Sequence, residues 1–306
     1  MIVKMLKTNI LSCLLWLPSL SNGFFSYSLW KAHRHASALL PRQAAVAAGD
    51  TILVIGSTGG VGQLVTEKLR NRQYKVRITS RNIEQSRKLL ESSTSGEHNP
   101  VEVVPLDLVK DSPVQLAEAL RGSSGVVICV GTTAFPTLKW QGGNTPQAID
   151  ANAVSNVVEA ASSMASMKKI CLVTSVGVYR TDEMPFKILN LFGVLDAKRA
   201  GEDALKKAST FNGIDYVIVR PGRLIGGPFT NFDVARLLQI EGGAENGVVV
   251  APGDDLLGDC KRDACAEAIV QALQQDTKNV EFSIVSSDQP ALKDREWKEL
   301  FSSIAK

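Results

Sequence analysis

Three evenly spaced glycines, Gly56, Gly59 and Gly62, lie between a short apolar run and an amphipathic stretch. Glycine allows a tight turn and lets backbone N–H groups approach a phosphate, and a helix that begins at such a loop adds the positive end of its dipole. The pattern predicts a loop that binds the pyrophosphate of a dinucleotide. The alternative is a glycine-rich turn without a ligand. The predicted contacts form one continuous segment: Gly56, Ser57, Thr58, Gly59, Gly60, Val61 and Gly62.

The residues at the end of the second predicted strand indicate which dinucleotide would bind. Domains that prefer NAD place an aspartate or glutamate there, which binds the 2′-hydroxyl of the ribose. This chain has Ser80 and Arg81 instead. An arginine can donate several hydrogen bonds to a 2′-phosphate, and Arg87 and Lys88 are candidates to assist it. We therefore expect NADP(H) rather than NAD(H); the alternative is that Arg81 is a solvated loop residue.

Two further segments follow predicted strands and are expected to contact the same cofactor. Asp107 and Leu108 follow the third strand, at a suitable place to contact the adenine. Small and apolar residues follow the fourth strand, where the backbone can approach a ribose: Val130, Gly131 and Thr132.

The elements that must position these residues alternate between strand and helix. Such alternation predicts a parallel sheet that is covered on both faces, which is a doubly wound α/β (Rossmann) fold in a single domain. Continuous apolar runs such as Val126–Val130 suit strands that are buried on both sides. The six main strands are predicted at Thr51–Ile55, Lys75–Thr79, Val101–Pro105, Gly125–Val130, Lys169–Thr174 and Tyr216–Val219, with long helices at Gln147–Ala165 and Ala197–Ser209.

Residues 1–49 differ in composition from the rest of the chain. They contain five lysines and arginines and no acidic residue, so a chain of net charge +3 leaves −2 on residues 50–306. The folded part therefore carries no basic footprint for nucleic acid. A short apolar run at Ile10–Leu20 precedes a basic, acid-free stretch at Phe24–Ala48, which predicts a signal-like and then a transit-like leader to a plastid. A single transit peptide and a secretory signal with a linker are the alternatives.

Histidine and cysteine usage excludes other site classes. Of the three histidines, only His98 follows the predicted leader, so a Ser-His-Asp triad is not expected. Cys129 and Cys171 lie within apolar runs and are predicted to be buried in strands. Cys260 and Cys265 have no histidine nearby, so we expect no metal site. The run at Ile10–Leu20 is too short for a comfortable membrane span, and we expect none in the mature chain.

Several of these motifs together resemble the atypical short-chain dehydrogenase/reductase family, over about residues 50 to 290. The stretch Leu189–Arg199 resembles the plastid NADP-binding members of this family, among them a dehydrogenase-like component of the chloroplast import translocon. The quoted markers are the glycine loop, Arg81-Asn82, Leu106-Asp107-Leu108, Val173-Thr174-Ser175, Lys198 and Arg220-Pro221-Gly222. The resemblance implies that Ser175 and Lys198 are catalytic, that Lys198 also binds the nicotinamide ribose, and that Pro221 lies at the cofactor.

The resemblance fails at one position that matters for catalysis. Active members use a serine, a tyrosine and a lysine, the last two spaced Tyr-x-x-x-Lys, and the tyrosine transfers a proton while hydride moves. The tyrosine position here is Val194, which cannot transfer a proton. Tyr27 and Lys31 match the spacing by coincidence, and Tyr179 is an alternative that could reach the site from a loop. Asp150 lies near the position of a structural asparagine in related members.

Three functions remain open at this point. The first is an NADP-dependent reductase or dehydrogenase of a small plastid molecule. The second is a catalytically inactive NADP(H)-binding protein that serves as a redox sensor, tether or assembly factor for a protein partner. The third is an isomerase or epimerase that keeps its nucleotide bound. The substrate would contact residues 223–259, whose glycines predict loops and short pieces.

Overall fold

Eight strands make one sheet in the computed structural model, which describes residues 45–92, 100–227, 246–276 and 278–304. The described strands are β1 Thr51–Ile55, β2 Lys75–Ser80, β3 Glu102–Pro105, β4 Gly125–Ile128, β5 Lys169–Val173, β6 Asp215–Pro221, β7 Arg223–Ile225, β8 Asn246–Pro252, β9 Asp259–Lys261 and β10 Val280–Pro290. The order in the sheet is β3-β2-β1-β4-β5-β6-β10-β8, and all neighbours are parallel except the antiparallel pair β10–β8. A parallel pair, β7–β9, lies outside this sheet.

Helices cover both faces of the sheet. The described helices are α1 Gly60–Asn71, α2 Ile83–Ser92, α3 Pro113–Leu120, α4 Val154–Ser162, α5 Phe186–Leu189, α6 Val194–Asn212, α7 Arg262–Gln274 and α8 Asp294–Ile304, with a 3-10 segment at Leu138–Gly143 and a π-helical segment at Gln147–Ala153. One core cluster joins the sheet to α1, α7 and α8, and a second joins the opposite face to α3, α4 and α6. The predicted doubly wound α/β fold is therefore confirmed.

The strand order reverses between β1 and β4. β2 and β3 lie on one side of β1, whereas β4, β5 and β6 continue on the other side. The loops that follow β1 and β4 therefore run in opposite directions and leave a crevice at the carboxyl ends of these strands. In open parallel sheets this crevice is where ligands bind.

Several predicted elements differ from the structure at their ends. The fourth strand ends at Ile128 rather than Val130, so the chain leaves the sheet before the residues predicted to contact the ribose. The long helix predicted from Gln147 is π-helical as far as Ala153, and only then α-helical. The helix predicted at 197–209 is longer, Val194–Asn212, because glycines in the left-handed region, Gly193 (φ +74°) and Gly213 (φ +63°), flank its two ends.

The folded body already includes residues before Asp50. Val46 is buried in the core beside β1, and its carbonyl accepts a hydrogen bond from the Tyr74 hydroxyl at 3.4 Å. The Gly49 N–H donates to the Gln73 carbonyl at 3.1 Å. The predicted leader up to residue 44 lies outside the described residues, and its boundary with the domain stays a prediction. Within the described ranges, no helix has the length and apolar character that crossing a membrane requires.

Candidate nucleotide-binding and active site

The loop between β1 and α1 has glycine at two positions because the backbone leaves no space for a side chain. Gly56 has φ +86°, and a Cβ there would lie 2.8 Å from the carbonyl carbon of Cys129 on the neighbouring β4 segment. A Cβ on Gly62 would lie 2.2 Å from the carbonyl oxygen of Gly56. These two glycines therefore hold the loop tightly between the strand and the helix.

Gly59 has a different part in the same loop. It is the N-cap of α1, and among the described residues the atom nearest to where its Cβ would be is the Gly56 carbonyl oxygen, at 3.2 Å. Without a side chain it cannot cap the first N–H groups of α1, and the first turn of the helix contains no acidic residue. An uncapped helix N-terminus beside a bare backbone suits a bound phosphate.

A cleft of about 360 Å³ extends from this loop along the carboxyl ends of the sheet. It brings together most of the sequence-predicted residues, from loops after β1, β4, β5 and β6. Its described lining is Gly59, Gly60, Val61, Cys129, Val130, Gly131, Thr132, Val173, Thr174, Ser175, Lys198, Pro221, Gly222, Arg223, Leu224 and Arg262. Burial raises the pKa of the Cys129 thiol to about 12, so this thiol is not a nucleophile at neutral pH.

Lys198 is held at the cleft by a buried carboxylate. Its Nζ lies 2.6 Å from Oδ1 of Asp150, whose side chain is 1% exposed. The other carboxylate oxygen accepts hydrogen bonds from the Thr132 N–H at 3.0 Å and from the Thr132 hydroxyl. Asp150 lies in the π-helical segment, a local geometry that often occurs at functional sites. The sequence placed Asp150 near the position of a structural asparagine in related members but did not reveal that it positions Lys198.

Two positions bear on whether the protein can be catalytic, Ser175 and Val194. Ser175 lines the cleft, and its hydroxyl donates to the Val176 carbonyl at 3.0 Å. Val194, at the position of the family tyrosine, is buried in a small apolar cluster with Val176, Val178, Phe186 and Leu195. A serine and a lysine therefore reach the cleft, whereas the tyrosine position contributes only packing.

The three described tyrosines all have other partners. Tyr74 bonds to Val46, and the Tyr216 hydroxyl donates to Glu281 at 2.9 Å. The Tyr179 hydroxyl accepts from Lys206 Nζ at 2.9 Å, and burial, as the largest cause, raises the pKa of Tyr179. The described lining of the cleft does not include Tyr179, whose hydroxyl is paired with Lys206 instead.

Arg81 lies at an exposed turn between β2 and α2. The Ser80 hydroxyl accepts from the Asn82 N–H at 3.0 Å and from the Ser86 hydroxyl at 2.6 Å, which fixes the turn. Arg81, Arg87 and Lys88 are exposed and form no ion pair with a described residue. Residues 80–82 therefore present positive charge and no carboxylate where a 2′-phosphate is predicted, and the next acidic residue along the chain is Glu84 in the first turn of α2.

The pair predicted to contact adenine is partly engaged within its own loop. The Asp107 carboxylate accepts from the Val109 N–H at 3.0 Å, and the Asp107 N–H donates to Asp111 at 2.8 Å. Leu108 packs against the second core cluster. These bonds fix the loop after β3, and the adenine contact stays a prediction.

A buried ionic network behind the cleft was not predicted from the sequence. Arg220, 1% exposed, binds both oxygens of Glu202 at 2.9 and 2.7 Å and Glu281 at 2.7 Å. The Thr174 hydroxyl donates to Glu202 at 2.6 Å. Burial alone would lower the pKa of Arg220, but its bonds to the two glutamates raise it. The network fixes the end of β6, so that Pro221 reaches the cleft; the only sequence signal was the motif Arg220-Pro221-Gly222.

Comparison with known proteins places these features in one family. A family model described as NAD(P)H-binding matches residues 56–276. Protein TIC 62, chloroplastic, of Arabidopsis thaliana is 33% identical over 221 residues, which are 62% of this chain, so the chain spans about a third (33%) of that relative. An uncharacterized chloroplastic protein of Arabidopsis thaliana is 30% identical over 266 residues and covers 83% of this chain and 82% of its own length.

Solved structures support the fold independently. The crystal structure of an oxidoreductase from Lactococcus lactis has a TM-score of 0.60 at 19% identity and covers 83% of this chain and 96% of its own. That likeness is evidence for the fold alone. The family model contains the phosphate loop, the cleft and most of the sheet, and it covers more than half of the chain. The chain therefore carries an NAD(P)H-binding domain and belongs to the NAD(P)H-binding family that this model describes.

Proposed function

We propose that this protein is an NADP(H)-dependent reductase or dehydrogenase of a small molecule in a plastid. The observation that carries the proposal is the single cleft that links the uncapped end of α1 to Ser175 and Lys198. A protein that only bound a nucleotide could use Lys198 for the ribose hydroxyls, but Ser175 in the same lining would then have no role at the cofactor.

The residues present fit a dinucleotide. The bare N-terminus of α1 would hold the pyrophosphate, Arg81 the 2′-phosphate, and Lys198 the hydroxyls of the nicotinamide ribose. When bound, NADP(H) supplies or accepts a hydride. Asp150 keeps Lys198 in place, and Ser175 would orient a carbonyl group beside it. Preference for NADP(H) over NAD(H) rests on the charge at Arg81 and on the missing acid at Ser80.

A catalytically inactive, NADP(H)-binding sensor or assembly factor is the second candidate. Val194 favours it, because this buried valine replaces the proton-transferring tyrosine of active family members. The ion pair of Lys198 with Asp150 also leaves less of the lysine's charge for a substrate. The two candidates share the nucleotide site and differ only in turnover.

The test separates binding from turnover in the purified full-length chain. Mass spectrometry should identify NADP(H) as the co-purifying nucleotide, and calorimetry should measure tighter binding of NADPH than of NADH. NADPH should then be oxidised with at least one member of a carbonyl and quinone panel. Binding without turnover across the panel would favour the sensor, and preferential binding of NADH would contradict the cofactor assignment.

Plastid localisation rests on the composition of residues 1–49 and on the chloroplastic names of the relatives. A fluorescent fusion of residues 1–49 should enter the plastid, whereas export to the medium would contradict the assignment. Because Val46 packs in the core, a fusion of residues 1–44 is the appropriate second version: it should behave identically if the leader ends before the folded body.

A further inference from the structure

Three aromatic side chains form an open surface on the loops after β4 and β5. The ring centroids of Phe135 and Phe192 are 6.0 Å apart and those of Trp140 and Phe192 are 6.2 Å apart, both edge to face. Phe135 is 43% exposed and Phe192 49% exposed. Their chain neighbours Leu138 and Leu191 are still more exposed. We call these five residues the aromatic shelf.

The shelf is continuous with the cleft through short covalent and hydrogen-bonded links. Thr132 lines the cleft, and the next residue, Thr133, accepts a hydrogen bond from Trp140 Nε1 at 3.0 Å and donates to the Phe135 carbonyl at 2.8 Å. On the other side, Phe192 lies two residues before Val194, the position of the family tyrosine. Thr132 also binds Asp150, the partner of Lys198, so the shelf is joined to the Lys198 side of the cleft through Thr132 and Thr133.

The polar atom of the shelf is already satisfied by the chain itself. Trp140 Nε1 bonds to Thr133, so the surface offers ring faces and aliphatic carbon rather than hydrogen bonds. A contiguous apolar surface is a common place for a ligand or partner to bind, whereas scattered exposed apolar side chains are ordinary. Aromatic pairs and flat π-systems stack or meet edge to face over similar distances. A flat ring system is the ligand that such a surface matches in shape and polarity.

The chemistry of the cleft restricts the ligand further. Reduction of a simple ketone forms an alkoxide, which needs a positioned acid, and the described tyrosines all have other partners. In a conjugated carbonyl or quinone the added electron pair spreads over the π-system, so a proton from water suffices. Such an acceptor gains one hydride and one proton, and NADPH is oxidised to NADP⁺.

We propose that the substrate is a flat, conjugated and mostly apolar carbonyl compound that rests on the aromatic shelf and is reduced at the adjoining end of the cleft. The proposal deepens the reductase function and rests on it. The shelf sets the substrate class, whereas Ser175 orients the reacting carbonyl.

Direct binding tests the proposal without relying on turnover. The probe is 9,10-phenanthrenequinone, titrated by calorimetry into the full-length chain saturated with NADP⁺, with cyclohexanone as the small, saturated comparison. The quinone should bind and cyclohexanone should not. Phe192→Ser and Phe135→Ser should each weaken quinone binding about tenfold, an effect of about 1.4 kcal/mol. Phe211→Ser is the matched control, because Phe211 is 73% exposed on α6 outside the shelf.

The outcomes separate this proposal from the function on which it rests. If NADP⁺ itself does not bind, the reductase function fails and the substrate class fails with it. If NADP⁺ binds normally in every variant but the quinone does not bind, or binds equally well to Phe192→Ser, the substrate class alone is wrong. Conversion of a dimer to a monomer by Phe192→Ser, with unchanged quinone binding, would instead identify the shelf as a contact between two copies.

Discussion

Replacement of Gly59 by alanine should separate nucleotide binding from folding. The new Cβ would lie 3.2 Å from the Gly56 carbonyl oxygen, a contact that a shift of a few tenths of an ångström relieves. Alanine is also a poorer N-cap than glycine. Together these effects should cost about 1 kcal/mol of unfolding free energy, or roughly 2–4 °C in Tm for a domain of this size.

The effect of the same change on binding should be larger. The methyl group would project where the pyrophosphate must approach the N-terminus of α1, and the loss of charge-assisted hydrogen bonds worth roughly 1.5–3 kcal/mol weakens binding about 10- to 150-fold. Calorimetry with NADPH measures the affinity, and circular dichroism measures Tm. A Gly59→Ala variant that binds NADPH as tightly as the parent would refute the assignment of the phosphate loop.

Two other glycines serve as controls for this experiment. Gly227→Ala should leave the affinity unchanged and should not lower Tm, because no atom of a described residue lies within 4 Å of the new Cβ and its φ is ordinary. Gly62→Ala should prevent stable folding, because its Cβ would lie 2.2 Å from a backbone oxygen that cannot move independently. A stable Gly62→Ala protein would show that the described packing of the loop is wrong.

Arg81→Ala should weaken the binding of NADPH about 10- to 100-fold and leave the binding of NADH nearly unchanged, as measured by calorimetry at low salt. An equal loss of affinity for both nucleotides would mean that Arg81 supports the loop instead. Arg220→Met should lower the unfolding free energy by about 3–5 kcal/mol in urea titrations, because it leaves Glu202 buried without its cation, and Glu202→Gln in the same chain should restore part of it. A loss below about 1 kcal/mol would contradict this account of the network. Burial lowers the pKa of Lys169 to about 8, so above this pH the folded state binds fewer protons than the unfolded state. The stability of the parent relative to Lys169→Met should therefore rise by up to about 3 kcal/mol between pH 8 and 10.5, and a flat difference would disprove the shift.

The fold and the family could be predicted because their signals are local. Alternating strands and helices, uninterrupted apolar runs and three glycines at fixed spacing are all visible within windows of a few residues. The strand ends were less predictable, since Ile128 and Val130 are equally apolar and only the departure of the chain into the crevice distinguishes them. The π-helical turn around Asp150 has no signal in the sequence, because it depends on how this segment packs against α6.

Contacts between distant segments decided the rest of the site. The partner of Lys198 lies 48 residues away, and the Arg220 network joins β6, α6 and β10. Tyr179 lies four residues after Ser175 and could have reached the cleft from its loop, but its hydroxyl accepts a hydrogen bond from Lys206 instead. Ion pairs of this kind depend on the final positions of several helices and strands, and the type of a charged residue does not show which residue it will pair with.

By itself the sequence determined that this chain forms a parallel sheet with a dinucleotide loop after its first strand, and that valine replaces the family tyrosine. Those features depend on residue type and on spacing within one element. Only the tertiary structure decided that Asp150 holds Lys198, that Arg220 fixes Pro221 at the cleft, and that Phe135, Trp140 and Phe192 meet beside it. The physical reason is that each of these contacts joins loops whose relative positions are set by the packing of the whole sheet rather than by local sequence.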